Sequence, residues 1–298
     1  MKVMKQGLTP KELLSKHVEK VFESYTQPGL HICDLATGGG KSHAIAKLTS
    51  TLYSEHFERV VILCVQTKLV NAMYEELIEA LANSENFILT EDQILRLQNN
   101  PDIIRDAVNN SSMPFKCLIR DIDVRIEELN RKGIEVGDLL RIKERIAGKY
   151  SLIEGFVEME NKSGKREKFL SEQIEKTESE LRRNVRAFFA TYRSRVEKAY
   201  KKKITIDAVT RKFPNLVKVY PQVELLSKKV LLTTVHKAIY GIDTILSDNY
   251  KLSELVDKKK VLVILDESDQ AGVAMRDVII EQATGADGLN RYVKGYDG

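Results

Sequence analysis

Two segments far apart in the sequence contain residue types that bind phosphate and magnesium. Residues 36–42 read Ala-Thr-Gly-Gly-Gly-Lys-Ser, and residues 266–269 read Asp-Glu-Ser-Asp. Glycines let backbone N–H groups approach phosphate oxygens, and a lysine neutralises part of the phosphate charge. Hydroxyl and carboxylate oxygens are the hard ligands that Mg²⁺ prefers. Together the two segments predict a site for ATP and Mg²⁺.

The glycine-rich segment lies between a predicted strand and a predicted helix, which is the setting of a P-loop. Lys41 would neutralise the β- and γ-phosphates, and Ser42 would bind the magnesium ion. The strict P-loop pattern has a glycine where this chain has Leu35, so a glycine-rich turn with a chance Gly-Lys-Ser is the alternative. The predicted nucleotide-binding residues are Ala36, Thr37, Gly38, Gly39, Gly40, Lys41, Ser42 and the adjacent His43.

The acidic segment directly follows five apolar residues, Val261–Leu265. This run predicts a buried central strand that ends in two carboxylates. Asp266 would hold magnesium, mostly through its waters, and Glu267 would orient or deprotonate the attacking water. With Lys41, these two residues are the predicted catalytic groups, while Ser42 and Asp266 are the predicted metal ligands. The alternative is an acidic turn that caps a helix beginning near Asp269.

Hydrophobic patterning predicts the elements that would position these residues. The pattern predicts a helix over 9–25, followed by a strand over 30–35, a helix over 41–52, a strand over 59–65 and a helix over 68–83. The last four of these elements form a β-α-β-α start. Strands over 229–233 and 261–265, with a helix over 252–258 between them, return to this pattern. Alternating strands and helices predict an α/β fold with a parallel sheet.

The middle of the chain, residues 91–221, is highly charged and helical in pattern. We expect an α/β domain formed by 1–90 and 222–298, interrupted by this helical insertion, since the segment is too long for a structureless loop. Within the insertion, residues 161–165 predict a surface turn, and residues 169–200 predict one long helix in a helical hairpin.

A basic stretch ends this long helix. Residues 182–203 contain nine Lys or Arg and one acidic residue. The sequence favours its aromatic residues as core, because they share one helical face with apolar neighbours. The cations leave two alternatives open, a nucleic-acid contact and a solvated face. The apolar face consists of Val185, Phe188, Phe189, Tyr192, Val196 and Ala199.

The two chemical segments resemble motif I and motif II, the DEAD/DEAH box, of superfamily 2 helicases. Two further segments resemble helicase motifs that lie between these boxes. Residues 65–68, Val-Gln-Thr-Lys, resemble motif Ia, and residues 231–237 resemble a motif that touches the nucleic-acid backbone. The alternative for both is a strand-to-helix turn with a hydroxyl N-cap. The resemblance implies nucleic-acid contacts by Thr67, Lys68, Thr234, His236 and Lys237.

The resemblance covers about half of the chain, residues 1–85 and 225–285. It implies a P-loop NTPase fold, the first RecA-like motor lobe of a helicase, which hydrolyses ATP while acting on DNA or RNA. In that family a second lobe completes the site. The sequence has no Ser-Ala-Thr motif after the acidic box and no second lobe. We therefore expect a fragment or a truncated gene, with weak hydrolysis by the chain alone.

Three other functional interpretations stay open. A restriction-type translocase shares the same lobe. A nucleotide-binding interaction module would use the helical insertion to dock a protein partner, without helicase activity. A degenerate remnant would bind no nucleotide.

The composition of the chain predicts its cellular location. The 298 residues have a net charge of +4, and 43% of them are hydrophobic. No run of about 18 apolar residues occurs, which predicts no membrane span. Cys33, Cys64 and Cys117 have no metal-ligand spacing, so we expect reduced cysteines in a cytoplasmic protein.

Overall fold

The chain has a mixed α/β fold divided into two compact units. The computed structural model describes residues 16, 41–84, 89–164, 166–247, 249–256 and 260–266. One unit, here called the α/β unit, comprises Met1–Leu97, Leu226–Ile242 and Tyr250–Gly298. The other, the helical unit, comprises Gln98–Leu225 and Asp243–Asn249.

The described strands and helices are numbered in chain order. The strands are β1 (Arg59–Cys64), β2 (Ile94–Arg96), β3 (Val230–Thr234) and β4 (Val261–Leu265). The helices are α1 (Lys41–His56), α2 (Thr67–Ala82), α3 (Asn100–Asn109), α4 (Pro114–Arg131), α5 (Gly137–Ser163), α6 (Lys168–Tyr200), α7 (Ile206–Lys212), α8 (Pro214–Val219), α9 (Val235–Tyr240) and α10 (Leu252–Val256). Short 3-10 helices cover Glu91–Gln93 and Pro221–Glu224.

The four described strands form one parallel sheet in the order β2-β3-β1-β4. All six residues of β1 are buried, as expected for an apolar strand with neighbours on both sides. Its register places Cys64 beside Thr234 of β3 and Leu63 beside Leu265 of β4. The carboxyl ends of β1, β3 and β4 therefore lie side by side at one edge of the sheet.

The sheet differs from the sequence prediction at two strands. Residues Ile94–Arg96, assigned from sequence to the helical insertion, instead pair with β3 as strand β2. A strand of three residues is too short for its alternation to be recognised. Strand β4 was predicted to be buried and central, but its five residues are half-buried. Its central position stays a prediction, because the strand predicted over 30–35 lies outside the described residues. An apolar run in the sequence shows only that its residues are hydrophobic, whereas the burial of a strand depends on which elements cover the two faces of the sheet.

The junctions between the units also differ from the predicted ones. The sequence placed them after residues 90 and 221, whereas the structure places them after Leu97 and Leu225. The helical unit also takes in Asp243–Asn249, a loop that leaves the α/β unit and returns to it. Ile242 and Tyr250, at the two ends of this loop, pair as an antiparallel bridge.

The helical unit has its own core. Helices α5 and α6 form a helical hairpin, and α4 packs on α5 through Phe115 and Tyr150, whose rings stack at 4.3 Å. The predicted turn over 161–165 is shifted, because α5 continues through Ser163 and ends at Gly164 in the left-handed conformation (φ 66°). A residue without Cβ adopts this conformation without strain, which ends the helix there.

Two predicted elements lie outside the described residues. The strand over 30–35 is entirely outside them. Of the helix over 9–25, only Lys16 is described, and it is helical.

Candidate nucleotide-binding edge of the sheet

The candidate site lies where β1, β3 and β4 end. Residues predicted from three separate sequence segments lie at or near these strand ends: Thr67 and Lys68 shortly after β1, Thr234 as the last residue of β3, and Asp266 directly after β4. The parallel register places these strand ends together. In open parallel sheets, ligands bind outside the carboxyl ends of the strands.

Helix α1 carries the described part of the predicted phosphate-binding segment, Lys41, Ser42 and His43, in the same unit. Lys41 is the first described residue of this helix and is half-buried like Ser42, whereas His43 is exposed. One turn later, Ile45 and Ala46 join the hydrophobic cluster that contains Cys64 of β1. The first amide groups of a helix have no partner within it, and its amino end attracts anions.

Asp266 is held at the end of β4. Its backbone N–H donates to the Leu63 carbonyl at 3.0 Å, which continues the ladder between β4 and β1 by one residue. Asp266 is 9% exposed. The backbone that carries this carboxyl group is thus fixed by the sheet.

Thr234 acts as the N-cap of α9. Its hydroxyl accepts a hydrogen bond from the backbone N–H of Lys237 at 3.3 Å, and the residue is 7% exposed. This is the capping geometry of the alternative interpretation. The Lys237 ammonium donates to the carbonyl of Leu97, which follows β2, at 3.5 Å. His236 is exposed, and its ring lies 4.3 Å from that of Tyr240.

The turn after β1 is different. Gln66 is the N-cap of α2 and makes no side-chain capping bond. Thr67, the first helical residue, is half-buried, and Lys68 is exposed. The hydroxyl-cap alternative therefore describes the turn after β3 but not the turn after β1.

The sequence did not single out two features of this edge. The Thr233 hydroxyl is buried and has no hydrogen-bond partner among the described residues, beside Leu63 at the end of the sheet. A hydroxyl residue ending an apolar strand was the only sequence signal for it. The Leu97 carbonyl, which accepts from Lys237, could not be found because β2 itself was not recognised.

The rest of the predicted site lies outside the described residues. This applies to Ala36, Thr37, Gly38, Gly39, Gly40 and Glu267. Within the described part of the chain, no three or more His, Cys, Asp or Glu residues gather as metal ligands. The candidate metal ligands there are one hydroxyl, Ser42, and one carboxylate, Asp266.

Three of the four aromatic residues in the basic stretch of α6 lie in the core, as predicted, whereas Tyr200 is 52% exposed. Phe188, Phe189 and Tyr192 are at most 1% exposed, whereas Ala199, assigned to the same face, is exposed near the end of the helix. Several of the cations have partners within the helical unit. Arg182 and Arg186 pair with Asp243, Arg195 pairs with Glu135 and Asp138, and Arg193 donates to the Leu246 and Ile204 carbonyls.

Comparison with known protein families gives no match, and comparison with characterised proteins finds none that is similar to this chain. Within the ranges that the structure describes, no helix has both the length and the apolar character needed to cross a bilayer.

Proposed function

We propose that the α/β unit binds ATP and Mg²⁺ and serves as a RecA-like motor lobe of a helicase or translocase acting on DNA or RNA. The observation that carries the proposal is the shared edge of β1, β3 and β4. Asp266, Thr67, Lys68 and Thr234 lie at or just after these strand ends, and Lys41 and Ser42 belong to a helix packed on the same sheet. A cation, a hydroxyl and a carboxylate in this setting fit a nucleotide with its metal.

Each residue would have a distinct role in hydrolysis. Lys41 would offset negative charge on the phosphates, and Ser42 and Asp266 would hold the metal. Glu267 would position the attacking water. When bound, magnesium supplies a Lewis acid that polarises the phosphoryl group. A second lobe, in a longer chain or in trans, would complete the site, and the lobe would work in the cytoplasm.

Calorimetric titration with Mg-ATP tests the nucleotide site. We expect binding by the parent chain, loss in Lys41→Ala, and weakening in Asp266→Asn when magnesium is present. Lys47→Ala is the matched control, because this exposed lysine lies on α1 beyond its first turn. The proposal fails if the parent does not bind, or if Lys41→Ala and Lys47→Ala bind equally well.

Nucleic-acid binding needs its own test, by fluorescence anisotropy with a single-stranded oligonucleotide. Lys68→Glu reverses an exposed charge at the candidate edge, whereas Lys260→Glu reverses an exposed charge just before β4, at the opposite edge of the sheet. We expect weaker binding and a smaller salt slope for Lys68→Glu alone. Equal losses in both variants would indicate nonspecific attraction to a basic protein.

A nucleotide-binding interaction module is the second candidate function. The observation that favours it is the internal pairing of Arg182, Arg186 and Arg195 in α6, which reduces the charge available for phosphate contacts. This candidate gains if Mg-ATP binds but the oligonucleotide does not bind in its presence.

A further inference from the structure

Helix α5 has two apolar faces, and only one of them is in the core. Ile146, Tyr150, Ile153 and Val157 are at most 3% exposed. On the other side, Leu152 and Met159 are 51% and 55% exposed. These two residues are seven apart, so they lie on the same face of the helix. No described element covers this second face.

Two glycines lie on the same outward face. Gly148, Leu152, Gly155 and Met159 follow the spacing of a helix-packing seam, here called the α5 seam. A Cβ atom added at Gly148 or at Gly155 would meet nothing within 4 Å. Packing within the chain therefore does not require either glycine, although glycine inside a helix is less stable than alanine. Small residues instead allow a second helix to approach closely.

We propose that the α5 seam is a dimerisation surface that packs against the α5 seam of a second copy of this chain, in antiparallel orientation. In one register, Leu152 of each copy lies opposite Gly155 of the other, and Met159 lies opposite Gly148. Each large side chain then faces a residue without one. A two-fold axis makes every contact occur twice, which suits a surface that is complementary to itself.

Charge complementarity supports the same register. Glu144 and Lys162 are exposed and make no ion pair within the described part of the chain. Both lie on the same flank of the α5 seam, one near each end. Equivalent flanks meet when two helices pack antiparallel, so Glu144 of one copy faces Lys162 of the other. In a parallel arrangement each flank would meet the opposite flank of the other copy, so Glu144 and Lys162 would not face each other.

The contact is limited to one helix from each copy. Helix α5 has 27 residues, a length of about 40 Å. A single pair of helices buries less area than the roughly 1,600 Å² of a standard stable interface. We therefore expect a weak dimer, with a dissociation constant on the order of tens of micromolar.

Sedimentation velocity of the full chain, from about 1 to about 200 μM, brackets that range. The parent should shift from monomer to dimer across it. Gly155→Leu should remain monomeric, because its side chain would collide with Leu152 of the second copy. This variant should still fold, since the added atoms meet open space in the monomer. Leu152→Glu should also be monomeric, whereas Val124→Glu, at a residue of α4 that is 49% exposed, should dimerise like the parent.

A charge exchange tests the orientation. Glu144→Lys places two lysines opposite each other and should weaken the dimer at least threefold, and Lys162→Glu should have a similar effect. The double variant E144K/K162E restores opposite charges and should recover the parent's dissociation constant. A parent that stays monomeric at about 200 μM, a dimer that survives Gly155→Leu, or a double variant no better than its single variants would overturn the proposal.

Discussion

Replacing Glu178 with glutamine should make the helical unit more stable at neutral and alkaline pH. Glu178 lies on α6 and is 2% exposed. Its Oε1 atom is 3.5 Å from the Nε atom of Arg182, too far for a good hydrogen bond, and has no hydrogen-bond partner in the described residues. The buried Tyr220 hydroxyl, which interacts electrostatically with Glu178, also lacks a hydrogen-bond partner there.

Burial raises the pKa of Glu178 from 4.5 to about 7. Arg182 opposes this shift, and the charges of Asp243 and Glu175 add to it. The folded state therefore favours the protonated carboxyl group. Its contribution to stability is fully present below pH 4.5 and is lost as the pH rises to about 7. A shift of that size corresponds to about 3 kcal/mol.

Urea unfolding followed by far-UV circular dichroism measures this effect. At pH 8, Glu178→Gln should exceed the parent in unfolding free energy by up to about 3 kcal/mol. At pH 4.5, the ordinary pKa of the group, the two should be nearly equal. Glu172→Gln, at an exposed position on the same helix, is the control and should differ from the parent equally at every pH. The reasoning is refuted if Glu178→Gln is less stable than the parent at pH 8.

Two further changes probe packing in the helical unit. Arg105→Met should destabilise the fold by about 3–5 kcal/mol, because Arg105 donates two hydrogen bonds to the buried Glu160 carboxylate, at 2.9 and 3.1 Å. The double variant R105M/E160L should recover most of this lost stability, as measured by urea unfolding. Burial raises the pKa of Glu160, but hydrogen bonds from Arg105 and Ser171 leave it below its usual value. The stability that the Arg105–Glu160 pair contributes should therefore decrease as the pH falls through the acidic range. Phe213→Ala should lower the free energy of unfolding by about 3–5 kcal/mol, since the buried Phe213 ring meets Phe189 and Tyr192 edge-on at 4.9 and 5.1 Å. Phe213→Leu should lower it by about 1 kcal/mol. Equal thermal midpoints for the two variants would contradict this prediction.

Local patterns in the sequence were sufficient to predict the longer helices and strands. The predicted long helix over 169–200 differs by one residue from α6, because its apolar residues repeat at helical spacing over many turns. Strand β4 occupies its predicted range, and β1 differs from its prediction by one residue. Lys41 lies in a helix and Asp266 follows a strand, as the two chemical segments predicted.

Tertiary structure decided what depends on contacts between distant residues. Strand β2 is recognisable only through its pairing with β3, which is more than 130 residues away in sequence. The loop Asp243–Asn249 belongs to the helical unit because Asp243 accepts from Arg182 and Arg186, a pairing that no local pattern encodes. The same contacts show that two arginines of the basic stretch of α6 form ion pairs within the helical unit. The sequence by itself determined which residue types could bind a nucleotide and which segments form helices and strands, since both follow from neighbouring residues. Only the tertiary structure decided strand order, burial and the partners of each charge, because these depend on residues that the chain brings together from far apart.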